Sequence, residues 1–247
     1  MGEKTDVFDL GGDTLLPGFV SGHDHIVASG WTSRGVSLFG IRTIEDAVAK
    51  IKDYADENPD EKLILGYGFN QVEYGRWPTK ADLDAVVPDR PVFILDFTIH
   101  DVWMNSSAFE ARKVSPDDPD RVPNVMFWQR DENGEQTGIG IEFQWAPAFL
   151  AAGAWNPKQE IPPIQKRFYD AAAATGLTAV HVPLIAAPSV TNQKLSAEET
   201  EIAMAHLHEL ENKGGAEAPH FRCQRFQGPG GQPGGSGRAH GKVTRAI

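Results

Sequence analysis

The stretch Leu15-Leu16-Pro17-Gly18-Phe19-Val20-Ser21-Gly22-His23-Asp24-His25 decides the fold. Its apolar residues predict a buried β-strand, and the Pro-Gly pair breaks the run where a strand enters the edge of a layer. Two histidines follow, and on an extended chain side chains i and i+2 point to the same face. Because neutral imidazole is a common ligand of zinc and related divalent metals, the spacing predicts that His23 and His25 bind one ion.

The same spacing has a different meaning elsewhere in the chain. His206-Leu207-His208 falls in a predicted helix, where side chains i and i+2 lie about 200° apart and cannot bind one ion. For His23 and His25 the other interpretation is a pair that caps the end of a strand through hydrogen bonds. If that strand belongs to a parallel barrel, its carboxyl end opens into the active-site mouth.

Composition limits the class of protein. The chain has 247 residues, 40% of them apolar, which suits one α/β barrel or two smaller domains. A net charge of −11 argues against a nucleic-acid partner. The single cysteine, Cys223, excludes an internal disulfide and suits a reducing cytoplasm, where we expect the protein. Neither an amino-terminal signal core nor an apolar run near the ~20 residues of a membrane span is present, so we expect no membrane partner.

Local patterns predict alternating helices and strands. Thr43 and Asp46 form a helix cap, Asn133-Gly134 marks a β-hairpin, and Ser196 with Glu199 reads as a second cap. Apolar spacing predicts helices at 44–58, 78–84, 103–112, 164–175 and 196–213, and strands at 63–66, 91–97, 125–130, 136–143 and 177–180.

The order of several blocks resembles amidohydrolase family 3, the branch of the amidohydrolase superfamily that includes N-substituted formamide deformylases. The blocks lie at 9–20, 66–70, 78–84, 88–92, 100–109, 134–138 and 176–181, and the resemblance covers residues 7–213. Two positions depart from the family pattern. Ser21 stands where the family usually has Asp before the histidine pair, and Ile99 replaces a Gly before the His-x-x-Trp block.

The resemblance implies an α/β fold, a partial TIM-like (β/α) barrel of the metal-dependent hydrolase type with an inserted α+β region. Residues 1–60 then hold the first barrel strand and helix, 61–160 the insertion, and 161–213 a further helix, strand and helix. A barrel alone takes about 250 residues, so this chain has room for two or three barrel strands. We therefore expect a form that is truncated at both ends.

The segment 214–247 differs from the rest. It has nine Gly, three Pro, five Lys or Arg and one acidic residue, in a chain that is otherwise strongly acidic. Such a composition cannot bury a core and predicts disorder. One hypothesis is a reading-frame change in a GC-rich gene, favoured because the resemblance ends at the same place; the other is a natural flexible tail.

The resemblance implies a metal-dependent hydrolase of amide-like, non-peptide C–N bonds, with zinc as the expected metal and a small amide-like molecule as substrate. In the family a lysine, two more histidines and an aspartate from later strands complete the centre, and this chain has no counterpart of those blocks. The alternative is a non-catalytic fragment that binds at most a metal or a partner. An open sheet edge also makes a homo-oligomer possible.

Four further residues are candidates for the substrate pocket. His100, Trp103 and Asn105 belong to one family-like block, and His181 stands at the end of a predicted strand. The alternatives are a hydrogen bond that fixes a loop for His100, core packing for Trp103 and a buried, satisfied histidine for His181. Glu142 is a weaker candidate for a carboxylate near the metal. No residue is assigned as the catalytic acid or base.

Overall fold

The structure, a computed structural model, describes residues 2, 5–30, 34–111, 119–182, 192–213 and 220–223. These residues form two β-sheets flanked by helices, in the order β1 (Phe19–Ser21), α1 (Ile26–Ser29), β2 (Val36–Ser37), α2 (Ile44–Glu57), β3 (Ile64–Phe69), α3 (Gln71–Tyr74), α4 (Lys80–Asp84), β4 (Val92–Asp96), β5 (Val102–Met104), α5 (Ser106–Ala111), β6 (Trp128–Arg130), β7 (Gln136–Gly140), α6 (Ala146–Ala151), α7 (Pro157–Ala174), β8 (Leu177–Val182), α8 (Gln193–Lys213) and β9 (His220–Cys223).

The smaller sheet is parallel and has the order β1-β8-β9. Strand β8, helix α8 and strand β9 form a βαβ unit, the repeating element of a (β/α) barrel. A Cβ added to Gly18 would lie 2.2 Å from Cγ2 of Thr178, so glycine lets the chain entering β1 approach β8 closely. The expected partial barrel therefore consists of three parallel strands within the described residues.

Strand β1 is exposed, so the prediction of a buried strand was wrong. The exposed fractions are 81% for Leu15, 61% for Leu16, 56% for Phe19 and 68% for Val20. The physical reason is that β1 pairs along one edge only, with β8, and no described element covers these side chains. The helix-covered core of this sheet contains Ile26, Tyr169, Val180, Val182 and Leu207.

The larger sheet is mixed and has the order β2-β3-β4-β5-β7-β6. Strands β2, β3 and β4 are parallel, and the remaining pairs are antiparallel. Phe93 and Leu95 of β4 pack with one core cluster, and Val92 and Ile94 pack with another that includes α2. This sheet is the α+β part of the fold. It also includes β2, which lies before residue 61, where the insertion was expected to begin. The domain boundaries stay a prediction.

Local signals gave some elements correctly and misplaced others. Oγ1 of Thr43 accepts a 3.1 Å hydrogen bond from the Asp46 N–H, which confirms the cap of α2. The strands flanking Asn133-Gly134 pair in antiparallel fashion, as the hairpin signal predicts. The predicted helix at 103–112 was wrong at its start, because residues 102–104 form β5 between β4 and β7 and α5 begins only at Ser106. Long-range pairing there outweighs helix propensity.

Helix α8 does not begin at the predicted capping box of Ser196 and Glu199. It starts at Gln193, and Glu199 is fully buried, with its Oε1 accepting a 2.6 Å hydrogen bond from the Trp155 indole N–H. The carboxylate is thus used for tertiary packing. His206 lies in this helix as predicted, but it is half-buried, not fully solvated, and its Nδ1 lies 2.8 Å from Oε1 of Gln165.

Part of the segment 214–247 forms regular structure. Residues 220–223 are β9, paired with β8 in parallel register, so the expectation of disorder was wrong for these four residues. The second edge of β8 offers N–H and C=O groups that backbone pairing satisfies without a hydrophobic core. The rest of the segment lies outside the described residues. Among the described helices, none has the length and apolar character needed to cross a membrane.

Candidate metal centre

His23 and His25 face each other in the turn that follows β1. Their Nε2 atoms lie 3.1 Å apart, with ring centroids 4.9 Å apart and ring planes at 79°. His25 is the residue immediately before α1, so it lies outside the helix. The two imidazoles therefore converge through the same ring atom, although both residues lie beyond the end of β1 and not on an extended strand as expected.

The separation of the two nitrogens suits a shared ion. Two nitrogens each about 2.05 Å from a tetrahedral zinc lie about 3.3 Å apart, close to the 3.1 Å between the two Nε2 atoms. Both side chains are exposed, so an ion can enter from solvent. Within the described ranges, however, no group of three or more His, Cys, Asp or Glu side chains is arranged to hold a metal. Metal binding by the pair stays a prediction.

His181 lies beside this turn, in the penultimate position of β8. Its Nδ1 is 2.9 Å from the carbonyl oxygen of Gly22, and its main-chain oxygen accepts a 3.0 Å hydrogen bond from the Asp24 N–H. The structure thus places His181 against the main chain of the turn that carries His23 and His25. Contact of His181 with a substrate stays a prediction.

His100 and Glu142 form a separate pair. His100 Nδ1 lies 2.9 Å from Glu142 Oε2, and both side chains are about half exposed. The imidazole also packs against the Phe143 ring, with centroids 5.4 Å apart. Glu142, considered as a carboxylate near the metal, contacts His100 in the structure. This pairing corresponds to the loop-fixing alternative for His100, while its contact with a substrate stays a prediction.

Two aspartates organise the main chain around His100. Oδ1 of the buried Asp96 accepts hydrogen bonds from the His100 N–H, at 2.9 Å, and the Asp101 N–H, at 3.0 Å. The pKa of Asp101 is raised to about 6, chiefly by burial and also by the nearby carboxylates of Asp96 and Glu142, against the opposing hydrogen bond from the Glu142 N–H. Sequence reasoning missed Asp101, although it follows His100 directly in the family-like block.

The backbone around this pair is strained. Ile99, Glu142 and Phe143 have φ angles of 62°, 49° and 59°. A left-handed conformation costs a residue with a Cβ roughly 1–2 kcal/mol, so surrounding contacts must hold these residues in place. One such contact is the Trp145 indole N–H, which donates a 2.8 Å hydrogen bond to the His100 carbonyl oxygen.

Trp103 and Asn105 have structural surroundings. Both are fully buried, whereas a substrate-pocket role requires accessible side chains. The Trp103 indole N–H donates to the Thr79 carbonyl oxygen at 2.7 Å. Asn105 bonds to four main-chain groups, namely the N–H of Val92 and Ala108 and the carbonyl oxygens of Val87 and Arg90. Core packing for Trp103 and loop bonding for Asn105 account for their burial.

An open cleft of about 280 Å³ lies at a different place in the fold. Its lining includes Arg34, Tyr54, Glu61 and Lys62. The Arg34 guanidinium already forms an ion pair with Glu160 and donates to a main-chain oxygen. None of the predicted site residues lines this cleft.

Comparison with known proteins assigns the family. A sequence model of the amidohydrolase family matches the chain over residues 6–235. The chain belongs to the amidohydrolase family. The match extends beyond residue 213, the last residue of the resemblance seen in the sequence blocks. The hypothesis of a reading-frame change at that residue rested on the resemblance ending there, and that support is therefore lost.

Curated relatives of this amidohydrolase chain are considerably longer than the aligned part. It is 31% identical over 187 residues to an exoenzymes regulatory protein, AepA, of Pectobacterium carotovorum, covering 71% of this chain and 39% of the relative. It is 28% identical to a putative amidohydrolase, YtcJ, of Bacillus subtilis, covering 70% and 31%. It is 26% identical to an N-substituted formamide deformylase of Arthrobacter pascens, covering 63% and 29%. The chain therefore spans about a third of the length of these relatives.

Solved structures support the fold. An uncharacterized metal-dependent hydrolase from Pyrococcus horikoshii OT3 superposes with a TM-score of 0.53 at 22% identity, covering 84% of this chain and 36% of that protein. Another from Pyrococcus furiosus gives 0.51 at 23% identity, covering 84% and 37%. The amidohydrolase chain thus has the mixed α/β fold of part of these larger proteins.

Proposed function

We propose that the chain carries the front part of a metal-dependent hydrolase of amide-like, non-peptide C–N bonds, and that His23 and His25 bind zinc. The observation that carries this proposal is the convergence of the two Nε2 atoms at 3.1 Å. Membership of the amidohydrolase family supports hydrolysis. The relative named an N-substituted formamide deformylase supports the type of bond and a small-molecule substrate.

The two histidines have a defined part in this chemistry. A zinc ion polarises a carbonyl group and lowers the pKa of a bound water to roughly 7. To bind through Nε2, His23 and His25 must be neutral, with their hydrogens on Nδ1. Their exposure leaves room for substrate and water on the open side. Two imidazoles are half of the four ligands of a typical zinc site, and the catalytic acid or base stays unassigned.

A second candidate function is metal binding without turnover. Within the described residues, no third metal-binding side chain joins the pair. The chain also spans between 24% and 39% of the length of its curated relatives. On this alternative the 247-residue chain binds zinc weakly and does not hydrolyse amides.

The test is to purify the 247-residue chain, measure its affinity for zinc, and assay hydrolysis of N-substituted formamides. We expect His23→Ala and His25→Ala each to weaken zinc binding at least tenfold, whereas the control His208→Ala, on the exposed side of α8, leaves it unchanged. Turnover that is lost in both pair variants supports the hydrolase, and zinc binding without turnover supports the second candidate. Equal zinc affinity in all four proteins would rule out the pair as the metal site.

A further inference from the structure

His181 contacts the main chain on both sides of His23. Its Nδ1 is bonded to the carbonyl oxygen of Gly22, at 2.9 Å, and its own carbonyl oxygen accepts from the Asp24 N–H, at 3.0 Å. The parallel pairing of β1 with β8 brings it to this position. The peptide groups before and after His23 are therefore both held by one residue from a distant strand.

The side-chain contact also fixes the tautomer of His181. A carbonyl oxygen only accepts hydrogen bonds, so Nδ1 of His181 carries the hydrogen that reaches Gly22. In the neutral ring, Nε2 is then the atom with the free lone pair. The contact of this ring with the turn that carries His23 and His25 is thus made by Nδ1.

His25 is held in a different way. It directly precedes α1, whose first two residues, Ile26 and Val27, are 1% and 2% exposed. The helix therefore anchors the main chain at His25, while nothing in helix α1 holds the peptides around His23. Convergence of the two rings needs both segments to be fixed, and His181 supplies the second anchor.

We propose that His181 is a positioning residue, which bonds to the Gly22 carbonyl through Nδ1 and so holds His23 in place to bind a metal together with His25. This inference rests on the proposed function of the pair. Ordering a main-chain segment costs conformational entropy, so a turn that is already held binds an ion more tightly than a free one. Removing groups that orient metal ligands typically weakens binding by 10–100-fold.

Two substitutions of His181 test the roles of its two ring nitrogens separately. The amide nitrogen of Asn lies near the position of Nδ1, and that of Gln lies near the position of Nε2. We expect His181→Asn to keep the zinc affinity within about twofold and His181→Gln to lose at least tenfold. Thermal unfolding of both variants serves as the control for stability. In the background of His23→Ala, the difference between the two variants should disappear.

Nuclear magnetic resonance of ¹⁵N-labelled histidines gives a readout that needs no metal. We expect His181 to show the Nδ1–H tautomer, and the ring signals of His23 and His25 to shift in His181→Gln but not in His181→Asn. The opposite pattern, with affinity and signals kept by Gln and lost with Asn, would show that His181 acts through Nε2 and would overturn the proposal. Unchanged affinity and signals in both variants would also overturn it.

The two proposals fail in different ways. If His23→Ala and His25→Ala leave the zinc affinity unchanged, the proposed metal site is wrong, and the metal-free spectra still decide whether His181 positions His23. If the pair variants lose zinc while both His181 variants bind like the wild type, the metal site stands and the positioning role is wrong.

Discussion

His100 and Glu142 pair through Nδ1 and Oε2 at 2.9 Å although they are 42 positions apart in the sequence. The contact joins the β4–β5 connection to the turn that follows β7. Glu142 itself has a left-handed backbone conformation, with a φ of 49°. A second bond, from the Glu142 N–H to Asp101 at 3.0 Å, runs between the same two segments.

The side-chain pair itself should contribute little to stability. Because both groups are about half exposed, we expect Glu142→Gln to lower the free energy of unfolding by less than about 1 kcal/mol, with the effect fading as salt is added. Denaturant unfolding at low and high salt measures this, with Glu132→Gln in the exposed hairpin turn as control. A loss that persists in high salt would mean that the carboxylate has a role beyond its contact with the His100 ring.

Asp101 should make stability depend on pH. Its folded pKa, about 6, lies above the ordinary 3.8, because burial disfavours the charged carboxylate. Between pH 4 and 6 the folded state therefore binds more protons than the unfolded state, and stability falls as the pH rises through this window.

Asp101→Asn should flatten this dependence and stabilise the protein at pH 7 by about 1–2 kcal/mol, after allowance for partial exposure. The amide oxygen can still accept the hydrogen bond from the Glu142 N–H. Unfolding measured from pH 4 to 7, with the exposed Asp60→Asn as control, tests this. An unchanged pH profile in Asp101→Asn would show that the carboxyl group titrates normally.

Substitution of Gly35 and of Gly40 distinguishes the cost of backbone strain from the cost of steric overlap. Both have positive φ angles, 73° and 80°, but a Cβ on Gly35 would lie 1.8 Å from the Leu65 carbonyl oxygen, whereas one on Gly40 would meet nothing within 4 Å. We expect Gly40→Ala to cost about 1–2 kcal/mol and Gly35→Ala about 2–5 kcal/mol. Equal losses in denaturant unfolding would contradict the close approach of Gly35 to β3.

Two tyrosines give opposite expectations on removal of the hydroxyl. Burial raises the pKa of Tyr74 to about 12, partly opposed by a main-chain contact with Asn70, and its hydroxyl makes no hydrogen bond of good geometry among the described residues. Tyr74→Phe should leave the free energy of unfolding unchanged or raise it by up to about 1 kcal/mol. Tyr54 donates to Glu61 at 3.0 Å, so Tyr54→Phe should lower it by about 0.5–1 kcal/mol. Destabilisation by Tyr74→Phe would reveal a bonded hydroxyl.

Short-range signals carried most of what the sequence predicted correctly. The facing of His23 and His25, the cap at Thr43 and the hairpin at Asn133 all depend on residues within a few positions of one another. Trp103 shows the limit of short-range signals, because its place in a strand depends on pairing with β4 and β7 on either side. Asp101 shows it too, since its raised pKa comes from burial and from Asp96 and Glu142, which no local pattern brings together.

The pairing of β1 with β8 has a consequence for how the chain is made. A hydrogen bond from Thr178 to Phe19 spans 159 positions, so at ribosomal speeds of about 5–20 residues per second β1 waits roughly 8–30 s for its partner. All strands of the larger sheet, which lie within residues 36–140, are synthesised before β8. During this delay Phe19 and Val20 of β1 have no backbone partner, and with the neighbouring Leu15 and Leu16 they form an apolar segment that is open to non-native strand pairing.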